Sequence, residues 1–214
     1  MHGSLCVCAE MPLLETRTRL VLVIHRYEDR KPTNTGRLAA SCLAGSRVIV
    51  RGHEDAADRG DTLQASVGSG TVPLLLFPHD DARDLRDVVA AHAGAAFTLI
   101  VPDGTWRQAS KVRQRVRGLE GVPSVTLPSR PREPSRYRLR TESRDGGLAT
   151  MEAIARAFGI LESPEVETAL LRVFACMVER TLWARGEIDA SAVTGGVPVG
   201  AERHDPSSGA LPCR

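Results

Sequence analysis

The sequence is poor in aromatic side chains, which make up 4% of its 214 residues. It is nearly without lysine, since arginine outnumbers it 26 to 2. No apolar run approaches the roughly 20 residues that span a bilayer, so no membrane segment is expected. The opening stretch MHGSLCVCAEMPLLE has no basic region followed by a long apolar run, so no export signal is expected. The five cysteines are an odd number, which argues against a disulfide framework and for a reducing, cytoplasmic setting. No internal repeat is present.

What is there is ordinary in bulk and uneven in detail. Hydrophobic content of 42% and charged content of 25% suit one globular domain with a real core. Net charge is +2, but residues 107–144 carry 11 basic and 3 acidic side chains, a block of +8 between slightly acidic flanks. Such asymmetry points to a polyanionic partner.

Short apolar runs alternate with helical patterns. RLVLVIH (19–25), RVIV (47–50), VPLLLF (72–77), FTLIV (97–101) and SVTL (124–127) read as strands. Helices are expected over 33–45, 81–94, 105–119, 148–161 and 164–186, and a polar loop over 52–70. Continuous apolar strands separated by helices predict an α/β fold, a mostly parallel sheet with helices on both faces. Three domain segments are expected: residues 1–16 carrying C-x-C, a main domain over 17–188, and a flexible Gly-, Pro- and Ser-rich tail over 189–214.

In open parallel sheets ligands bind beyond the carboxyl ends of the strands. Three predicted strands run into FPHDD (77–81), VPDGTW (101–106) and LPSRP (127–131). Each has a proline just past its last apolar residue, expected to end strand pairing for want of an N–H. Asp103 and Thr105 are both able to cap the following helix, and an acid at a preorganised helix start also suits catalysis. Between a cap and a reactive group the residues alone do not choose. HRYEDRKPTNTGRL (25–38) is a second strand-to-helix passage, where His25, Lys31 and Asn34 are candidate nucleic-acid contacts and Gly36 allows a close backbone approach.

Arg107, Lys111 and Arg115 recur every four residues, which places them on one face of the predicted helix, flanked by Arg113 and Arg117. No acid interleaves to pair with them. In SRPREPSRYRLR (129–140), Arg136, Arg138 and Arg140 share one side of an extended segment, with Tyr137 between them to stack on a base. Cys6 and Cys8 offer two metal ligands where a tetrahedral zinc needs four. His2 and Cys213 are poor completions, and Cys42 and Cys176 sit in apolar helical contexts as core thiols.

Together these motifs resemble the DTW-domain family, the tRNA-uridine aminocarboxypropyltransferases. The matching stretches are CVCAEMP, RLVLVIHRYEDRKPTNTGRL, DGTW (103–106) followed by RQASK, YRLR and LATMEAIA, over roughly residues 6–185. The resemblance implies transfer of the 3-amino-3-carboxypropyl group of S-adenosylmethionine to N3 of a uridine in tRNA. It implies a SPOUT-like, knotted core. The uridine is at position 47 of the variable loop in bacterial relatives and in the D-loop in others. Asp103, Thr105 and Trp106 are the implied catalytic residues. Leu76, Phe77, Pro78, Pro102, Asp103, Gly104, Trp106, Leu127, Pro128, Ser129, Thr150 and Glu152 are the implied lining of the S-adenosylmethionine pocket. Many members carry an upstream cysteine pair that completes a zinc knuckle with C-x-C. None precedes Cys6 here, so zinc is not carried over. A SPOUT-type RNA methyltransferase and a non-catalytic RNA-binding module are the alternatives. Membrane contact is not expected, and monomer and homodimer stay open.

Overall fold

The computed structural model describes residues 3–32, 34–52, 63, 66–128, 135–137, 139 and 147–203. Ser129, Arg138 and Arg140 lie outside these residues, as do His2, Cys213 and most of the predicted 52–70 loop.

Six strands form one sheet: β1 (Arg19–His25), β2 (Arg47–Arg51), β3 (Thr71–Leu76), β4 (Arg83–Asp84), β5 (Ala96–Asp103) and β6 (Ser124–Thr126). Their order is β2-β1-β5-β3-β6-β4, and every pairing is parallel. The predicted parallel sheet is therefore present. The side-chain period of two divides each strand between the faces. Leu20, Leu22, Ile24, Leu74, Leu99 and Val101 face the main core, packed under α2 (Thr35–Cys42), α3 (Leu85–Ala91), α6 (Thr150–Leu161) and α7 (Pro164–Ala184). Val21, Val23, Leu75 and Ile100 face a smaller cluster closed by Val116, Leu119 and Val122. Cys42 and Cys176 are buried, as core thiols should be.

Three expectations change. The predicted helix over 105–119 is two single turns, α4 (Trp106–Ala109) and α5 (Val112–Arg115), joined through Ser110 and Lys111. The break turns Val112 and Val116 onto the second face of the sheet, and Arg107, Lys111 and Arg115 no longer share an uninterrupted helical ladder. The predicted helix over 81–94 begins only at Leu85, because Arg83 and Asp84 pair with β6 and Asp84 caps the helix from outside it. Lastly, Pro102 does not stop its strand: β5 runs on to Asp103, with Pro102 opposite Val23 and Asp103 opposite Ile24. Pairing of β5 with β3 ends at Ile100, so at Pro102 the strand is flanked by β1 alone and a missing N–H costs little.

The described parts of both terminal segments pack on the sheet's helical cover. Leu14 bridges to Leu43, and its backbone N–H donates to the Cys42 carbonyl at 2.8 Å. Leu5 and Val193 pack on Trp183 and Ala184 of α7. Residues 189–203, read from composition as the start of a loose tail, are held by α7: Glu179 accepts the Thr194 N–H at 2.6 Å. Arg180, 4% exposed, donates to the carbonyls of Cys6, Gly195 and Gly196 and pairs with Glu10. Buried guanidinium needs this many acceptors, which explains why both segments converge on it.

Candidate active site

Asp103 ends β5 and is 8% exposed. Its Oδ2 accepts the Asn34 side-chain amide at 2.7 Å, and its Oδ1 accepts the Thr150 hydroxyl at 2.6 Å. Asn34 is the N-cap of α2, its own Oδ1 accepting the Arg37 N–H at 2.7 Å. Thr150 is the first residue of α6. Two helix starts, remote in sequence, thus meet on one carboxylate, and their N-terminal dipoles favour negative charge there. A Cβ at Gly36 would stand 2.6 Å from Asp103 Oδ2, so the close approach foreseen at this glycine is to the carboxylate itself.

Thr105, not Asp103, caps the following helix. Thr105 caps α4: its hydroxyl accepts the Gln108 N–H at 3.3 Å and Gln108 Oε1 accepts the Thr105 N–H at 2.8 Å. This is a reciprocal capping box, legible beforehand in the Thr-x-x-Gln spacing. It commits the Thr105 hydroxyl to the helix and leaves the Asp103 carboxylate to the sheet edge. Gly104 has the Gln108 side chain close behind it, so a Cβ there would meet Oε1 at 2.9 Å.

Beyond Ile100 and Leu75, β5 and β3 part, while Phe77 stays with β6 through its N–H to the Val125 carbonyl at 3.1 Å. Trp106, half-buried, crosses toward Phe77 edge-on, with ring centroids 5.5 Å apart. Phe77 also meets His79 at 4.6 Å. His79 is held by the Ser124 hydroxyl on Nδ1 at 2.9 Å and faces the Ser110 carbonyl with Nε2 at 3.4 Å. Pro78 is exposed, Leu76 and Pro102 are buried in the strand ends, and Leu127 and Pro128 are half-buried after β6. The strand ends of β1, β5, β3 and β6 are neighbours, so the loops after them share one edge.

Glu152, 2% exposed, accepts the Ala149 N–H, the Ser135 hydroxyl and the Arg136 N–H at 2.8, 2.6 and 2.8 Å. It ties residues 135–137 to the start of α6. That tie carries Tyr137 inward: the ring is 5% exposed and packs on Phe174 at 5.7 Å, so it is a core residue and not a platform for a base.

His25 closes β1 and caps the single-turn helix α1 (Arg26–Asp29), its Nδ1 accepting the Tyr27 N–H at 3.4 Å. Partial burial holds its pKa below the usual histidine value, helped by Arg26 and Arg115 and opposed by Glu28. Lys31 pairs with the buried Glu28 at 2.5 Å. Arg113 is taken up by Asp81, its Nη1 lying 2.7 Å from both carboxylate oxygens. An acid distant in sequence thus supplies the pairing that the sequence of the basic block lacks. Arg107, Arg115 and Arg136 are exposed and Lys111 is half-buried. Cys6 and Cys8 are exposed, with sulfurs 2.7 Å apart, and among the described residues no group of three or more His, Cys, Asp or Glu gathers around a metal position.

A buried carboxylate fixed by two side chains stands at the carboxyl edge of an all-parallel sheet, in an α/β protein. The DTW-domain model matches residues 1–182, and the chain belongs to the DTW-domain family. It is 28% identical over 172 residues to tRNA-uridine aminocarboxypropyltransferase 2 of Mus musculus, covering 79% of this chain and 57% of that protein. It is 27% identical over 169 residues to tRNA-uridine aminocarboxypropyltransferase 2 of Drosophila melanogaster, covering 78% and 66%. Against tRNA-uridine aminocarboxypropyltransferase A of Arabidopsis thaliana it is 25% identical over 201 residues, covering 82% and 76%. The chain spans less than two thirds of the mouse and fly relatives. No solved structure matches it.

Proposed function

We propose that this chain transfers the 3-amino-3-carboxypropyl group of S-adenosylmethionine to N3 of a tRNA uridine, position 47 of the variable loop, releasing 5′-methylthioadenosine in the cytoplasm. Three of its relatives are tRNA-uridine aminocarboxypropyltransferases by name. The observation that carries the proposal onto this chain is Asp103: a buried carboxylate at a central strand end, oriented by Asn34 and Thr150.

The residues fit such a donor. The Phe77–Trp106 corner lies where β5 and β3 part and offers aromatic surface to an adenine. A SPOUT-like knotted core belongs to the same proposal and is supported by the all-parallel sheet with its loops gathered at one edge. S-adenosylmethionine supplies an alkyl carbon activated by a sulfonium, so the leaving group needs no further activation. What the protein must supply is position and a proton acceptor. The Asn34 amide and the Thr150 hydroxyl that bond to Asp103 are neutral donors, which orient the carboxylate without neutralising its charge. In the reaction the N3–carbon bond forms, the carbon–sulfur bond breaks with its electron pair on sulfur, and the N3 proton passes to Asp103. Arg107, Lys111, Arg115 and Arg136 supply cations for tRNA phosphates.

The test is to incubate the protein with S-adenosylmethionine and unmodified tRNA, digest to nucleosides and weigh the products. An aminocarboxypropyl adduct supports the proposal. A methyl adduct makes the chain a methyltransferase, and an unchanged digest with bound tRNA makes it a binding module.

A further inference from the structure

Tyr27 is unusual in a chain so poor in aromatics. It is 57% exposed, while Tyr137, the other tyrosine, is buried. It sits in α1, directly after the end of β1, and the last β1 pairing with β5 sets Ile24 opposite Asp103. His25, two residues before Tyr27, places its Cβ 3.5 Å from the Cβ position of Gly104. Tyr27 therefore lies within one turn of the β1 end that flanks Asp103, its ring against His25, and it contributes to neither hydrophobic cluster of the sheet.

Its ring is held in place. The Arg26 guanidinium carbon lies 4.8 Å from the ring centroid, and Arg26 Nη2 donates to the Tyr27 hydroxyl at 2.9 Å. The His25 ring approaches at 5.2 Å with a tilt of 33°. Arg26 keeps this position although its Nε is buried without a hydrogen-bond partner among the described residues. A buried donor left unmet is unfavourable, so the guanidinium is held by its contact with the ring and by the Nη2 bond to the Tyr27 hydroxyl. The result is a held, exposed aromatic surface beside a cation, the arrangement on which unstacked bases of single-stranded RNA settle.

The proposed chemistry creates an unstacked base. N3 of uridine is reached only when the nucleotide leaves its stack and any pairing partner. Its neighbour in the strand then loses one stacking face. We infer that Tyr27 is a stacking platform for the base next to the target uridine, and so a residue that selects RNA sequence and register at the site. The inference rests on the tRNA reading given above. Because every base has a π-face, it implies preference by stacking strength and not by hydrogen-bond pattern.

The experiment compares wild type, Tyr27→Phe and Tyr27→Leu for binding to the full tRNA and to the same tRNA with an abasic nucleotide on either side of the modified uridine. On intact tRNA, Tyr27→Leu is expected to bind about 5- to 150-fold more weakly, the span of one base stacked on an aromatic ring. Tyr27→Phe keeps most of the affinity. With the correct neighbour abasic, wild type and Tyr27→Leu bind alike. Unchanged thermal melting and S-adenosylmethionine affinity in Tyr27→Leu establish that the fold is intact. A Tyr27→Leu protein that binds intact tRNA as wild type does overturns the inference, and so does an equal loss on intact and abasic RNA. Wild type that binds tRNA without modifying it removes the transferase reading while the same comparison still decides Tyr27. Wild type with no tRNA affinity overturns both.

Discussion

Asn34 and Asp103, 69 residues apart in sequence, are joined side chain to side chain at 2.7 Å, and the same carboxylate takes the Thr150 hydroxyl at 2.6 Å. Asp103→Asn preserves the shape but puts an amide NH2 where the carboxylate accepted a bond. The Thr150 hydroxyl can turn and accept from it, whereas the Asn34 NH2 can only donate. The expected outcome is a small loss of stability, about 1 kcal/mol, with turnover down by roughly 10²–10⁴, the worth of a positioned general base. S-adenosylmethionine affinity by calorimetry stays close to wild type. Normal turnover in this variant makes Asp103 a latch between α2 and α6 and nothing more.

Gly36→Ala drives a methyl to 2.6 Å from Asp103 Oδ2 and 3.0 Å from Leu22 Cδ1. Overpacking of this kind costs about 1–3 kcal/mol, read by urea denaturation, and displaces Asp103 from Asn34. Combined with Asp103→Ala, which removes the clashing atoms, the two changes should cost less than their sum. Strict additivity would mean that Gly36 and Asp103 do not touch.

Arg180→Met removes donors from the carbonyls of Cys6, Gly195 and Gly196 and leaves Glu10 without its buried partner. Glu10 keeps Arg172 at 3.0 Å, so the loss comes from carbonyls left without a donor, about 1–3 kcal/mol for each one that stays buried. Hydrogen exchange should quicken in residues 3–10 and 190–196 together, with the β5 amides changing only through global unfolding. Faster exchange in one segment alone would show that the two are held separately.

His25 is expected to titrate below the usual histidine value, because partial burial and the Arg26 and Arg115 charges outweigh Glu28. Its proton is then bound more tightly in the unfolded chain. The stability of neutral His25 is present above the ordinary histidine pKa of about 6.5 and fades as pH falls through it. NMR of the imidazole nitrogens should show the Nε2-protonated neutral form, since Nδ1 accepts the Tyr27 N–H. Arg115→Ala should raise the midpoint. A midpoint above the usual value in wild type contradicts this account.

Arg107→Ala with Arg115→Ala should lower the log–log salt slope of tRNA binding by roughly 1.5–2. Arg113→Ala should change it less, because Asp81 already takes up its charge. Asp81→Ala should strengthen binding by releasing Arg113. Equal slope changes for Arg113 and Arg115 would show that the Asp81 pair opens freely for RNA.

The parts of this structure readable from sequence are those set by neighbouring residues. RLVLVIH could only be a buried strand, and its limits are those of β1. The long α7 announced itself by Pro164 at its start and a continuous apolar pattern. Helix propensity over 105–119 was genuine, but it lost to the need of Val112 and Val116 to reach the second face of the sheet. Pro102 misled because a proline at a strand end is harmless where one neighbouring strand has already left. Contacts across long separations were out of reach: Asn34 and Thr150 on Asp103, Asp81 on Arg113, and Tyr137 turned inward by Glu152. In the DGTW stretch, which polar group serves the helix and which the sheet edge is set by Gln108 nearby and by Asn34 and Thr150, both remote in the chain.

The convergence on Arg180 orders events during synthesis. When α7 leaves the ribosome, the sheet and the helices that cover it have all been made, and Cys6 is already available to the guanidinium. Gly195 and Gly196 are not. Until they emerge, a charge meant for burial has only part of its set of acceptors, and Trp183 lacks the cover of Val193. A chain cut short before Thr194 therefore holds a finished sheet beside an unsealed seam, with a tryptophan at the opening. The stretch that follows α7 is the one that completes this closure.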